Sequence, residues 1–342
     1  MKKIFFTLLF VTVIASFLHA QNETEWLPDQ PGKWSYHHKI TGEIEKYKLS
    51  PAELAEYQKN IDLVVETLHQ NSVLKNPVGI EPSVNVRVWP DDKAGTHLRS
   101  LADDIVGSRI AIQFCPLFKD KNGNIMKHCM EVTSCDVHVN EPKATSEKYL
   151  QYSASELHPA PEKLKIAAQN LSKIFVKPLV AKELAEGVTA YQSGIIIISN
   201  PKCPYWIPAK CGELFDQITE YFNIVQGKDN SYLYVIEAIE KEKGFFSPEQ
   251  LNGPAYFTTG NISGVTAVEN DSPLVRFNPD YFDKSLPRTS IQLIAVHTLT
   301  ESFDRNCDDT HLEYRRHCEF VKQLDANALK ALLDVKQPFK ML

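Results

Sequence analysis

The chain has 342 residues, a formal net charge of −6 and a hydrophobic share of 43%, the composition of an ordinary folded protein. Its basic residues form no cluster, which argues against a nucleic-acid partner. Beyond the first twenty residues, no stretch approaches the length of about 20 apolar residues that crosses a bilayer, so we expect no membrane span.

Residues 1–20 have the layout of a secretory signal peptide. Lys2 and Lys3 precede an apolar run, and Ala20 supplies the small residue at the expected cleavage position. The layout is typical of bacterial leaders. We therefore expect a secreted or periplasmic protein whose mature chain begins at Gln21.

Cysteine usage agrees with an oxidising compartment, where thiols pair. The disulfide candidates are Cys115, Cys129, Cys135, Cys203, Cys211, Cys307 and Cys318. Close spacing favours a bond between Cys203 and Cys211, a bond between Cys307 and Cys318, and one among the remaining three, whose partners the sequence does not fix. Because the count is odd, one thiol stays free or pairs outside the chain.

The first predicted element is a helix that begins near residue 51. Ser50 and Glu53 form a capping-box pattern, with Pro51 at the first helical position. Apolar residues then recur at spacings of three and four and predict one buried face: Leu54, Tyr57, Ile61, Val64 and Leu68. Valines at positions 84, 86 and 88 alternate as they do on a half-buried strand.

A hairpin is predicted in the middle of region 109–139. Asn122 and Gly123 offer the positive backbone angles that a tight turn needs, so the flanking residues read as antiparallel strands. A turn centred there places Cys115 beside Cys129 or Met130. A disulfide between Cys115 and Cys129 follows in one register, and a slip of one residue would put them on opposite faces.

Residues 141–161 are polar and contain several prolines, which is typical of a linker or a long surface loop. They divide the mature chain into an N-terminal α+β region, 21–150, and a C-terminal α+β region, 151–342. One continuous domain is the alternative.

Helices and strands alternate in the C-terminal region. Residues 164–175 predict a helix that Pro178 ends, and a second helical stretch runs to about Gly187. Four isoleucines at 195–198 predict a strand covered on both faces. A helix over 212–222, a strand over 273–279 and a terminal helix capped by Asp325 complete the series. Together these elements predict an α+β fold, with a mixed, largely antiparallel sheet, several helices and disulfide staples.

Segment 291–307 raises the main functional question. A zinc-peptidase helix carries His-Glu-x-x-His, in which two metal ligands lie four residues apart and the glutamate activates water. Here the frame reads His297, Thr298, Leu299, Thr300, Glu301. The segment resembles such a helix over these five residues only, and Thr298 replaces the base.

Periodicity favours a strand for the same segment. Its apolar residues surround a helical wheel instead of forming a stripe, and its β-branched residues suit a strand. On a strand, His297 and Glu301 would lie about 13 Å apart, too far to hold one ion between them. His311 and His317 are further candidate ligands in the metal-site alternative. For their segment, however, a solvated surface held by a disulfide is favoured.

Two other groups contain reactive atom types. Cys211 begins a predicted helix, where the dipole would favour a thiolate, but a disulfide with Cys203 is the favoured interpretation in an exported chain. His128, Cys135 and His138 lie near Cys129 without the tight cysteine knuckle of structural zinc sites, and their spacing favours a hairpin.

The sequence contains no nucleophile elbow, phosphate-binding glycine loop or dinucleotide fingerprint. By exclusion we expect a non-catalytic binding or interaction protein of the periplasm or extracellular space, whose partner is a peptide, a glycan or an envelope component. The alternative is a metal-dependent hydrolase with the ligand candidates His297, Glu301, His311 and His317. We expect no cofactor in the first case and zinc in the second.

Overall fold

The computed structural model describes residues 25–88, 105–141, 159–226, 230, 232–298 and 307–334. The predicted signal peptide lies outside these residues, as does most of the predicted boundary at 141–161. The described chain confirms the predicted α+β class.

Helices and strands alternate along the described chain. The helices are α1 (Pro51–His69), α2 (Ser72–Lys75), α3 (Glu162–Ser172), α4 (Cys211–Gln226), α5 (Leu233–Lys243), α6 (Pro248–Asn252), α7 (Leu312–Lys322) and α8 (Ala326–Lys330), with a 3-10 helix at Ile44–Tyr47. The strands are β1 (Glu25–Trp26), β2 (Ser35–Gly42), β3 (Ile80–Val88), β4 (Ser108–Lys119), β5 (Ile125–Lys127), β6 (Ser134–Val139), β7 (Phe175–Val176), β8 (Val180–Ala185), β9 (Val188–Tyr191), β10 (Ile195–Ile198), β11 (Trp206–Pro208), β12 (Tyr256–Phe257), β13 (Val265–Thr266), β14 (Leu274–Phe277) and β15 (Ile294–His297).

One large mixed sheet organises the fold. Its strand order is β2-β3-β4-β6-β15-β10-β9-β8, and β1 and β5 pair with the far end of β4. β2 runs parallel to β3, whereas the other pairs in this sheet are antiparallel. β15 pairs with β6, so strands from both sides of residues 141–161 share the sheet. The proposed division into two regions remains a prediction.

The two faces of the large sheet are covered differently. On the first face, α1, α7 and α8 pack over alternate residues such as Ile110, Val137 and Val296. On the second face, a small sheet of β11, β14 and β7 covers β10 and β15, with Phe175 and Phe277 in the contact. Helices α3, α4 and α5 pack on the outer side of this small sheet. The chain therefore stacks in four layers.

Several predicted local features are confirmed. Ser50 and Glu53 form the capping box of α1, and Asp325 caps α8. The four isoleucines of β10 are all buried. Of the predicted buried face of α1, Leu54 is the exception, since it is 40% exposed.

One predicted helix is wrong. The stretch before Gly187 forms β8, which makes a hairpin with β9 in place of a helix. Gly187 has a φ of +75°, and the carbonyl oxygen of Ser199 would lie 2.5 Å from an added Cβ. Pairing with β9 outweighs the helical preference of the leucine, alanine, glutamate and lysine side chains in this segment.

Two of the predicted disulfides are present, Cys115–Cys129 and Cys307–Cys318. The predicted bond between Cys203 and Cys211 is not formed, and both thiols are free and buried. The reason is their position: Cys203 lies in the core between the two sheets, whereas Cys211 lies in the helical core beyond the small sheet.

Among the helices that the structure describes, none combines the length and the apolar character needed to cross a membrane.

Candidate functional site

His297 ends a central strand. β15 lies between β6 and β10, and His297 pairs with Asp136 on one side and Ile195 on the other. The strand prediction for this part of the segment is confirmed. Glu301, the second residue of the zinc-peptidase frame, lies outside the described residues.

A second histidine meets His297 on the same face of the sheet. The rings of His138 and His297 lie 5.0 Å apart between centroids, edge to face. His138 Nδ1 is 2.8 Å from Glu141 Oε2, and both side chains are almost fully buried. The carboxylate of Glu141 therefore fixes the orientation of the His138 ring, which in turn packs on His297.

An ion pair borders these histidines. Arg109 Nη2 lies 2.6 Å from Asp136 Oδ2, and the strand register places Arg109 beside His138 and Asp136 beside His297. The second face is thus polar over β4 and β6, while it is apolar over β10. His138 is only 1% exposed, so this polar cluster is closed to solvent at its centre.

The other predicted ligands lie elsewhere. His317 is fully buried in α7 against Phe114, on the first face of the sheet and so across it from His297. His311 precedes α7 and is exposed. In the described chain, no three His, Cys, Asp or Glu side chains are grouped so that they could hold a metal ion.

The free thiols are poorly suited to nucleophilic chemistry. Burial raises the pKa of Cys211 to about 11, despite its place at the start of α4. Burial also raises the pKa of Cys135 and of Cys203. All three thiols are therefore protonated near neutral pH.

An open groove lies between β2 and α1, and we call it the aromatic groove. Its cavity has a volume of about 620 Å³. It is lined by Trp34, Tyr36, His38, Ala55, Gln58, Lys59, Asp62, Leu63, Val65, Glu66 and His69.

Local periodicity explains how these side chains meet. Tyr36 and His38 are two residues apart on β2, where the pairing with β3 is irregular, and their ring centroids lie 4.3 Å apart. On α1, positions 55, 58, 62, 66 and 69 recur at three and four, on the stripe beside the buried one. Trp34 stacks on His69 with ring centroids 4.4 Å apart, and this contact joins the two elements at one end of the groove.

A fixed carboxylate lies in the groove. The Tyr36 hydroxyl donates to Asp62 Oδ1 at 2.6 Å, and the Gln58 amide donates to the same oxygen at 2.9 Å. His38 Nδ1 is 3.7 Å from this oxygen. Burial, followed by the hydrogen bond to Asp62, raises the pKa of Tyr36 above its usual range, so the hydroxyl stays protonated and remains a donor.

A sequence signal for the groove exists in the alternation of Trp34, Tyr36 and His38. None of the three was predicted as a site residue. Their partners on α1 come from a separate element, so the signal alone does not define a site. The partnership of His138 with His297 was missed for the same reason, because 159 positions separate them in the chain and pairing of β6 with β15 brings them together.

No family model matches the chain, and neither a curated protein nor a solved structure matches it.

Proposed function

We propose that the protein is an exported binding protein and that the aromatic groove holds its ligand. The single observation that carries this proposal is the convergence of Tyr36, Gln58 and His38 on one oxygen of Asp62. Such a network holds the carboxylate in place before any ligand arrives, which lowers the entropic cost of binding.

The dimensions of the groove support a small ligand. A cavity of about 620 Å³ lies within the range of roughly 300–1,000 Å³ that is usual for small-molecule sites. Its walls combine aromatic rings and aliphatic side chains with charged and amide groups. The two disulfides support export, since they form and persist in oxidising compartments.

Thermal denaturation with a ligand panel tests the proposal. The panel contains neutral sugars, dipeptides and alkyl amines, and the proteins are the wild type and a Trp34→Ala variant. A ligand that binds the folded state raises the melting temperature. We expect at least one class to do so for the wild type and to lose most of its effect in Trp34→Ala.

The matched control is Trp26→Ala, because Trp26 is half exposed and lies on β1, outside the groove. It should retain the ligand effect. A shift that survives Trp34→Ala unchanged would place binding elsewhere, and no shift with any member of the panel would count against a small-ligand function.

A second candidate function rests on the 2.8 Å contact between His138 and Glu141 beside His297. A carboxylate that orients an imidazole is a frequent element of acid–base and metal-dependent hydrolases. In this proposal His297 is the reacting group and His138 positions it. Elemental mass spectrometry of protein purified without chelator tests the metal-dependent form: near-stoichiometric zinc that is lost in His297→Ala supports it, and metal-free wild-type protein contradicts it.

A further inference from the structure

The aromatic groove has an unequal distribution of charge. Asp62 and Glu66 are two carboxylates one helical turn apart on α1, and Lys59 is the lining residue with a permanent positive charge. Among the charged lining residues, the two carboxylates outnumber the one ammonium group. The groove therefore favours a positively charged ligand over an anionic one.

The Asp62 carboxylate has one oxygen available to a ligand. Its contacts with Tyr36, Gln58 and His38 all use Oδ1, and within the described chain Oδ2 has no hydrogen-bond partner. The Asp62 side chain lines the groove and is 37% exposed. An ammonium or guanidinium group would meet a carboxylate whose position is already fixed.

The Glu66 carboxylate is held less firmly than the Asp62 carboxylate. It accepts a hydrogen bond from Gln70 Nε2 at 2.6 Å and lies 3.7 Å from His69, while its side chain is 65% exposed. Because water screens an exposed carboxylate, Glu66 contributes less than Asp62 to binding a cation. It still adds negative potential one turn further along the groove.

The apolar part of the lining suits an alkyl stem. Leu63 and Ala55 lie on the α1 wall, and the rings of Trp34 and Tyr36 lie on the β2 side. Aromatic rings also attract cations through the negative potential of their faces. A neutral sugar would make less use of the groove, since Gln58 and the Tyr36 hydroxyl already donate to Asp62.

From these contacts we infer that the ligand of the aromatic groove is an alkyl cation, an ammonium or guanidinium group on an apolar stem, with Asp62 as its principal partner. This inference rests on the proposed binding function and names the ligand class. A small alkyl amine satisfies this chemistry.

Calorimetric titration with butane-1,4-diamine tests the inference, and butane-1,4-diol is the matched neutral probe of the same length. We expect the diamine to bind and the diol to bind at least about tenfold more weakly. Raising the salt concentration should weaken diamine binding, because salt screens partly exposed charges. The diamine concentration extends to about 10 mM, so that a dissociation constant in the millimolar range is still detected.

Variants assign the effect to single charges. Asp62→Asn should weaken diamine binding about tenfold or more, and Glu66→Gln should weaken it by a smaller factor. Lys59→Gln should strengthen binding, since it removes the opposing charge. Glu237→Gln is the control, because it makes the same change of charge on an exposed residue of α5 and should leave binding unchanged.

The possible outcomes distinguish failure of the cation assignment from failure of the proposed binding function. Absence of diamine binding, equal binding of the diol, or diamine binding that Asp62→Asn leaves intact would overturn the cation assignment. If a neutral ligand from the panel then binds in a Trp34-dependent way, the groove remains a binding site for another class. If no ligand depends on Trp34, the proposed function fails as well.

Circular dichroism confirms that each variant folds. The variant Tyr36→Phe provides a second test, since it loosens Asp62 without removing its charge.

Discussion

Asn140 connects more segments than any feature of its local sequence suggests. Its Nδ2 donates to the carbonyls of Val106 and Ser290, and its Oδ1 accepts from the amides of Gln292 and Leu293. It has a φ of 53°, a left-handed conformation that asparagine tolerates better than most residues. It thus joins β6 to the segment that leads into β15, between His138 and Glu141 of the polar cluster.

Replacing Asn140 with Ala should lower the free energy of unfolding by about 3 kcal/mol or more, because two buried carbonyls and two buried amides lose their partner. Urea denaturation of the two proteins measures the difference. Asn170→Ala, an exposed position on α3, is the control and should stay within about 0.5 kcal/mol of the wild type. A similar small effect for Asn140→Ala would contradict the role assigned to it.

His317 makes the free energy of unfolding depend on pH in the acid range. Burial lowers its pKa to about 4, and neither ring nitrogen has a hydrogen-bond partner in the described chain. Between about pH 6.5 and pH 4, the unfolded chain binds a proton at this residue and the folded chain does not. Stability is therefore lost as pH falls through this window.

His317→Leu should remove this part of the acid sensitivity. The wild type should lose about 2–3 kcal/mol more stability than the variant between pH 7 and pH 4, as the pKa difference implies. Denaturant titrations at both pH values give the comparison. Parallel losses in the two proteins would show that His317 is not responsible.

Among the secondary-structure elements, the extension of β4 carries a disulfide at its base. Residues 117–119 of β4 continue beyond the pairing with β3 and β6, and there β1 and β5 flank them. Trp26, Phe118 and Met126 lie in one row across these three strands. The bond Cys115–Cys129 joins the base of this extension and closes a loop with a sequence separation of 14.

The double substitution Cys115→Ser with Cys129→Ser should lower the free energy of unfolding by about 2–4 kcal/mol, the usual effect of a native disulfide. Chemical denaturation under oxidising conditions measures it. In the presence of a strong reductant the wild type should lose the same advantage, so the two proteins should converge. A gap that persists after reduction would assign the effect to packing at these positions.

Local sequence signals predicted well those elements that depend on contacts between residues close together in the chain. The capping box at Ser50 forms, and the turn near Gly123 sets the register that brings Cys115 to Cys129. The helix expected before Gly187 failed because an edge strand draws its stability from its neighbour β9, not from its own residues. The strand at His297 was predicted, but its contact with His138 depends on pairing between distant segments.

At the scale of the whole molecule, the large sheet determines where polar groups lie. Its first face is closed by α1, α7 and α8, and the polar part of its second face buries the His138 side chain. The outer edge of the sheet is different, because β2 and the polar stripe of α1 leave the aromatic groove open. No local pattern specifies that β2 lies parallel to β3 and beside α1, so the groove emerges only from the assembled fold.

The most direct measurement is fluorine NMR of the chain labelled with fluorotryptophan, with signals assigned through single Trp→Phe variants. On addition of a ligand that raises the melting temperature, with butane-1,4-diamine as the first choice, we expect the Trp34 signal to shift. The signal of Trp206, buried between the two sheets, should stay in place. A ligand that stabilises the protein while the Trp34 signal stays unchanged would contradict binding in the aromatic groove.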